Sequence, residues 1–139
     1  MSVDTILVPT DGSEQAEKAV EVAVNMAREF DSEVVHALFV VDSSIYAEPA
    51  LSFTEILTDE VQERADELLA DLRAEAEADG VRFVTDVIHG SPKETIVRQA
   101  ESIGADLVVI GERGNEYRSR RGPVCQYVAK HAPCNVLVV

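Results

Sequence analysis

Tryptophan is absent from this chain of 139 residues, and aromatic residues amount to only 5% of it. The hydrophobic share is 46%, so the core must be aliphatic, and the length suits one domain, 1–139. Long apolar runs are missing as well. The best of them, Leu38 to Val41, Leu107 to Ile110 and Val136 to Val139, have the length of strands and not of membrane spans. The N-terminus lacks a basic region followed by an apolar one, which argues against export and for a cytoplasmic location. Cys125 and Cys134 are too few for a disulfide framework and lack metal-ligand spacing, so they read as structural thiols.

Positive charge is also in short supply. Lysine occurs only at Lys18, Lys93 and Lys130, the net charge is −14 and the isoelectric point is near 4.4. So acidic a surface repels nucleic acid phosphates and anionic membranes, which excludes both as expected partners. The carboxylates are spread along two segments, from Glu14 to Glu29 and from Glu60 to Asp79, as the solvated faces of helices. Such a surface resembles those of halophilic proteins, whose self-repulsion is screened by salt.

What is present is a strict alternation of strand and helix signals. Thr5 to Pro9 reads as the first strand, followed by the turn Thr10-Asp11-Gly12 and by Ser13 as an N-cap, with Glu14 and Glu17 at the positive helix end. Ala16, Ala19, Val20, Ala23, Ala27 and Phe30 follow at helical spacing. Val34 to Val41 reads as a strand buried on both faces. Asp42 to Leu57 reads as a long irregular connection whose Tyr46, Pro49 and Phe53 could pack as a lid.

A second helix is predicted from a capping box at Asp59 and Gln62, with the stripe Val61, Ala65, Leu68, Leu72 and Ala76 and a stop at Gly80. Val81 to Ile88 reads as the third strand. Ser91-Pro92-Lys93-Glu94 is a helix start, whose inward residues are Ile96, Val97, Ala100 and Ile103 and whose end is Gly104. Leu107 to Ile110 is the fourth strand, Gly111 to Gly122 a loop, and Pro123 the opening of a last helix. Pro133 closes that helix before the fifth strand, Asn135 to Val139.

This pattern means an α/β three-layer sandwich, a parallel sheet with helices on both faces. Ligands of such sheets bind beyond the carboxyl ends of the strands, where the winding direction reverses. The glycine-bearing loops after strands one and four mark that place.

The residues that carry a family resemblance are Ile6-Leu7-Val8-Pro9-Thr10-Asp11-Gly12-Ser13, Val40-Val41-Asp42, Gly90-Ser91-Pro92, Asp106 to Gly111 with Gly114, and His131 to Val139. Together these resemble the universal stress protein family over nearly the whole chain. The resemblance implies a five-stranded parallel sheet of order 3-2-1-4-5, adenine nucleotide alpha hydrolase-like. It also implies a homodimer in which the last strands, Asn135 to Val139, pair antiparallel, since an exposed edge of Val, Leu and Val invites association. It implies ATP or AMP as ligand, with Mg²⁺ accompanying ATP. Asp11 would lie near the ribose, Val40 at the adenine, and a glycine pattern followed by serine or threonine at the phosphates.

That pattern begins here with Gly111 and Gly114 and then departs. Only Asn115 to Arg121 precede Gly122, and Pro123 stands where the hydroxyl belongs. Proline fits a first helical turn but offers neither an amide hydrogen nor a hydroxyl. Two lost donors to a phosphate, at roughly 1.5–3 kcal/mol each, would cost about 3–6 kcal/mol. Uncompensated, that is on the order of a hundred- to ten-thousand-fold in affinity. Arg113, Arg118, Arg120 and Arg121 crowd the same loop, where guanidinium groups could replace the missing donors or pair with carboxylates instead. The candidate site is therefore Pro9, Thr10, Asp11, Val40, Ile110, Gly111, Arg113, Gly114, Arg118, Arg120, Arg121, Gly122, Pro123 and Val124.

Asp11 as a phospho-acceptor is disfavoured, because receiver domains place that aspartate after strand three, where this chain has Ile88-His89. His36 and His131 read as packing residues, while His89 lies at a strand end beside the expected cleft. Cys125 and Tyr127 read as packing on the last helix. No catalytic set can be assigned, and the lysine-bearing P-loop is absent. Two functions remain open: a nucleotide- or phosphate-binding stress sensor, at most a slow ATP hydrolase, or a dimeric interaction module that has lost the nucleotide site.

Overall fold

The computed structural model describes residues 2–42, 51–112 and 122–139, the side chains of 51–58 excepted. Its strands and helices alternate as β1 (Thr5–Thr10), α1 (Glu14–Phe30), β2 (Val34–Val41), α2 (Leu51–Ala78), β3 (Phe83–His89), α3 (Pro92–Ile103), β4 (Leu107–Ile110), α4 (Pro123–His131) and β5 (Asn135–Val138). The strands form one parallel sheet of order β3-β2-β1-β4-β5, as the family pattern implied.

Successive side chains of a strand point to opposite faces, and here that alternation sorts the core in two. Ile6, Val8, Val35, Ala37, Leu107 and Val109 pack with α1 and α2. Leu7, Leu38, Val108 and Ile110 pack with α3 and α4. Both faces of the central strands are thus buried, which explains their near-continuous aliphatic sequence.

Local chemistry sets most helix ends where the sequence places them. Ser13 caps α1, its hydroxyl accepting the amide of Ala16 at 3.2 Å. Pro123 stands at the first turn of α4 and Pro92 at that of α3. Ser91 is the N-cap of α3, although its side chain makes no capping bond; its carbonyl accepts the amide of Thr95 instead.

The second helix departs from expectation. Asp59 and Gln62 do not cap α2 but lie inside it, because the helix already runs from Leu51. Their residue types are ordinary on a helix surface, and Gln62 bonds one turn on to Asp66, so the same spacing serves an interior as well as a start. The proposed irregular connection therefore loses its second half, Phe53 included, to helix, while residues 43–50, with Tyr46 and Pro49, and the side chain of Phe53 lie outside the described residues. Leu69 is buried where Leu68 was expected, and Phe30 at the end of α1 is 52% exposed. The third strand starts at Phe83 and not at Val81.

Candidate functional site

The winding direction reverses between β1 and β4, and a cavity of about 430 Å³ opens there at the carboxyl ends of the strands. That is within the size range of small-molecule sites. Its wall comes from the ends of β1, β2 and β4 and from the first turns of α1, α3 and α4.

The turn after β1 is held by its own side chains. Thr10, almost fully buried, accepts the amide of Gly12 through its hydroxyl at 3.3 Å. Asp11 accepts the amide of Ser13 at 2.9 Å, the Asx turn that launches α1. Gly12 has φ of +83°, a conformation that favours glycine.

The exit from β4 is equally constrained. A Cβ on Gly111 would lie 3.0 Å from Cγ of Gln15 and 3.1 Å from its backbone oxygen, so any larger residue would require α1 or the loop to give by a few tenths of an ångström. Beyond it a chain of backbone bonds ties the mouth together. Val139 donates to Ile110 at 2.9 Å, Glu112 donates to Val139 at 3.0 Å, and Gly122 donates to Glu112 at 2.8 Å. The Gln15 side-chain amide also donates to the Val139 carbonyl, at 2.6 Å.

Pro9, Thr10, Asp11, Val40, Ile110, Gly111, Gly122, Pro123 and Val124 all line this cavity. Arg113, Gly114, Arg118, Arg120 and Arg121 lie outside the described residues. Sequence reasoning missed Ala16, Leu38, Pro92, Ile96, Glu112 and Cys125 as wall residues, and did not assign Asp42 to the site although it belongs to the quoted segment after β2. Ile96 and Leu38 carried only the signal of core residues. Cys125 does pack, being 2% exposed, and it meets the cavity as well.

The histidines fall elsewhere. His89 does not line the cavity; its exposed ring nitrogen lies 2.8 Å from Gln62 on α2, because the side chain at the last position of β3 projects toward the helix that packs on that edge strand. His131 stacks on Tyr127 with ring centroids 4.3 Å apart, and the Lys93 ammonium lies 5.2 Å over the same tyrosine. His36 is half-buried on β2 with no hydrogen-bond partner at Nδ1. Burial lowers its pKa and the Arg82 charge adds to that, against the opposing pull of Asp86. Neither cysteine is in a disulfide; burial, and then the Asp106 charge, push the Cys134 thiol up. Among the described residues no group of three histidine, cysteine or carboxylate side chains could hold a metal ion.

A cavity at the switch point of a 3-2-1-4-5 parallel sheet places the chain among the doubly wound α/β proteins, whose ligands bind at that point. The model of the universal stress protein family matches residues 2–139, and the chain belongs to that family. It is 39% identical over 137 residues to a universal stress protein of Methanocaldococcus jannaschii, covering 96% of this chain and 80% of that one. Among solved structures, the universal stress protein UspA from Lactobacillus plantarum is 33% identical with a TM-score of 0.93, covering 100% of this chain and 99% of the other. A universal stress protein family protein from Arabidopsis thaliana with AMP bound shares the fold at 22% identity and a TM-score of 0.74, covering 98% and 90% of the two chains. The fold is that of the adenine nucleotide alpha hydrolase-like proteins. Among the described residues no helix is long and apolar enough to cross a membrane.

Proposed function

We propose that this protein is a cytoplasmic stress-response protein that holds an adenine nucleotide or a related ligand in the cavity between β1 and β4. The observation that supports this most is the make-up of the wall. Leu38, Val40 and Ile96 offer apolar surface for a flat base, while Asp11 offers a carboxylate whose second oxygen can accept a ribose hydroxyl. The AMP-bound relative of the same fold is consistent with it. Binding and not turnover is the proposed role, since among the described wall residues none is a recognisable general base paired with a nucleophile.

Isothermal titration calorimetry of the full chain with AMP and with Mg·ATP, in high potassium chloride, tests the reading. Binding that weakens at least about tenfold in Asp11→Ala supports it. Heat-silent titrations of folded protein with both ligands would instead favour an interaction module.

The edge of the sheet favours a second property. Among the described residues β5 has a strand neighbour on one side only, and Leu137 is 37% exposed. We propose that a second copy pairs there through Asn135 to Val139, since such an edge otherwise invites uncontrolled association. Light scattering should give a dimer mass that Leu137→Lys lowers; an unchanged mass would sink the pairing.

A further inference from the structure

Leu68 and Leu72 belong to the apolar stripe of α2, yet both are only half-buried, and the residue beside them that enters the core is Leu69. Their open sides line a groove of about 700 Å³ between α1 and α2, floored also by Val20, Val24 and Ala76. Beside its apolar row each helix carries a row of exposed carboxylates along the groove. These are Glu14, Glu17 and Glu21 on α1, and Asp71, Glu75 and Asp79 on α2. Lys18 lines the groove too, while Arg73 turns away to Glu77, at 2.6 Å. We infer that this groove docks a basic amphipathic helix of a partner protein, whether or not the cavity between β1 and β4 holds a nucleotide.

The match is one of pitch and of charge. Within a row the carboxylates stand three or four residues apart, about 4.5–6 Å along the helix, and the rows extend over about 10–12 Å. A partner helix repeats its side chains every turn of about 5.4 Å, so lysines or arginines at each third or fourth position meet successive carboxylates. Apolar side chains between two such basic rows fill the floor of Val20, Val24, Leu68 and Leu72, as an amphipathic helix does in an apolar groove. A linear polyamine carries the charges without that apolar surface, and so answers the rims and not the floor. The field of a chain of net charge −14 also steers a cationic segment toward these rows.

The test uses the full chain and two fluorescent peptides of about 14 residues, long enough to cover the groove as a helix. Both are made of the same leucines and lysines. In one the leucines form a single helical strip flanked by lysines, and in the other they are scattered around the helix. Fluorescence anisotropy at about 0.1 M potassium chloride should show the strip peptide binding about tenfold or more tightly than the scattered one. Glu21→Gln, Glu75→Gln and Asp79→Asn together should weaken the strip peptide about tenfold. The matched set Glu63→Gln, Glu94→Gln and Glu101→Gln removes as much charge outside the groove and should leave binding within about twofold. All six changes are isosteric and exposed, and circular dichroism checks that both variants keep the fold. Equal binding of the two peptides overturns the inference, as does an equal loss in the two variants, since either means that net charge alone is read. Spermidine displacing the strip peptide as effectively as unlabelled peptide does overturns it for the same reason. No binding of the strip peptide to folded protein overturns it outright.

Discussion

The two ends of the parallel sheet are built from the same kinds of contact and come to opposite results. At the amino ends the strands are stitched shut. The exposed Asp106 carboxylate accepts the amides of Asp4 at 2.9 Å and Thr5 at 3.0 Å, joining β4 to β1. Backbone bonds from Val34 to Asp4, Val35 to Arg82 and Asp106 to Thr5 complete the seam. At the carboxyl ends the turn after β1 satisfies itself, through Thr10 and Asp11, while the exit of β4 is tied to Val139, and a cavity opens between them. At the amino end the donors run across neighbouring strands and close the surface, whereas the turn after β1 spends its donors within itself and leaves the space beside it open. That difference separates the end that contributes stability from the end that can take a ligand.

The comparison breaks most completely if its shared middle is removed. Leu7, fully buried between the two ends, should cost about 2–5 kcal/mol when changed to alanine and should lower stability whatever the ligand. Urea denaturation measures it, and a smaller loss would mean the core there can collapse.

Gly111→Ala sharpens the contrast at the open end. Its new Cβ must displace Gln15 or the loop, which should destabilise by about 1–3 kcal/mol and alter ligand affinity together. Thermal melts and calorimetry on one sample decide whether the two effects are joined. Asp106→Ala is the matching change at the closed end. Two amides lose a charged acceptor in an exposed place, for about 1–2 kcal/mol, and ligand affinity should be untouched. A change in affinity there would show that the ends are coupled.

Ser13→Ala should cost about 1 kcal/mol as a lost N-cap. The smallest effect concerns pH. His36 has its folded pKa below its unfolded value, so the unfolded chain binds the extra proton first and stability falls as pH drops below about 6.5. Thermal melts at pH 7.5 and 5.5 should show a larger acid loss for the wild-type chain than for His36→Gln.

Much of this was legible in the residues themselves. β2, β4 and the start of α4 have the boundaries that their aliphatic runs and prolines predict. Asp11 and Gly111 could be picked out because they stand in the opening turn and the glycine pattern that carry the family resemblance, whereas the Asx bond and the close approach to Gln15 are seen only in the fold. Less could be read where one signal serves two structures. The Asp59 and Gln62 spacing occurs at helix starts and in helix interiors alike, and Leu68 and Leu69 are neighbours of one composition on adjacent faces. His89 was placed by strand position, yet its partner, Gln62, comes from a helix that sequence alone could not orient.

By itself, then, the sequence determined the order of elements, the two faces of every strand and the family, because periodicity and capping act over a few residues. Tertiary structure alone decided which wall residues meet and which donors are spent. Gln15 reaches Val139 across 124 residues, and Gly122 closes on Glu112 only once β4 and α4 are docked. Whether an amide is available to a ligand depends on such distant closures, and no local pattern encodes them.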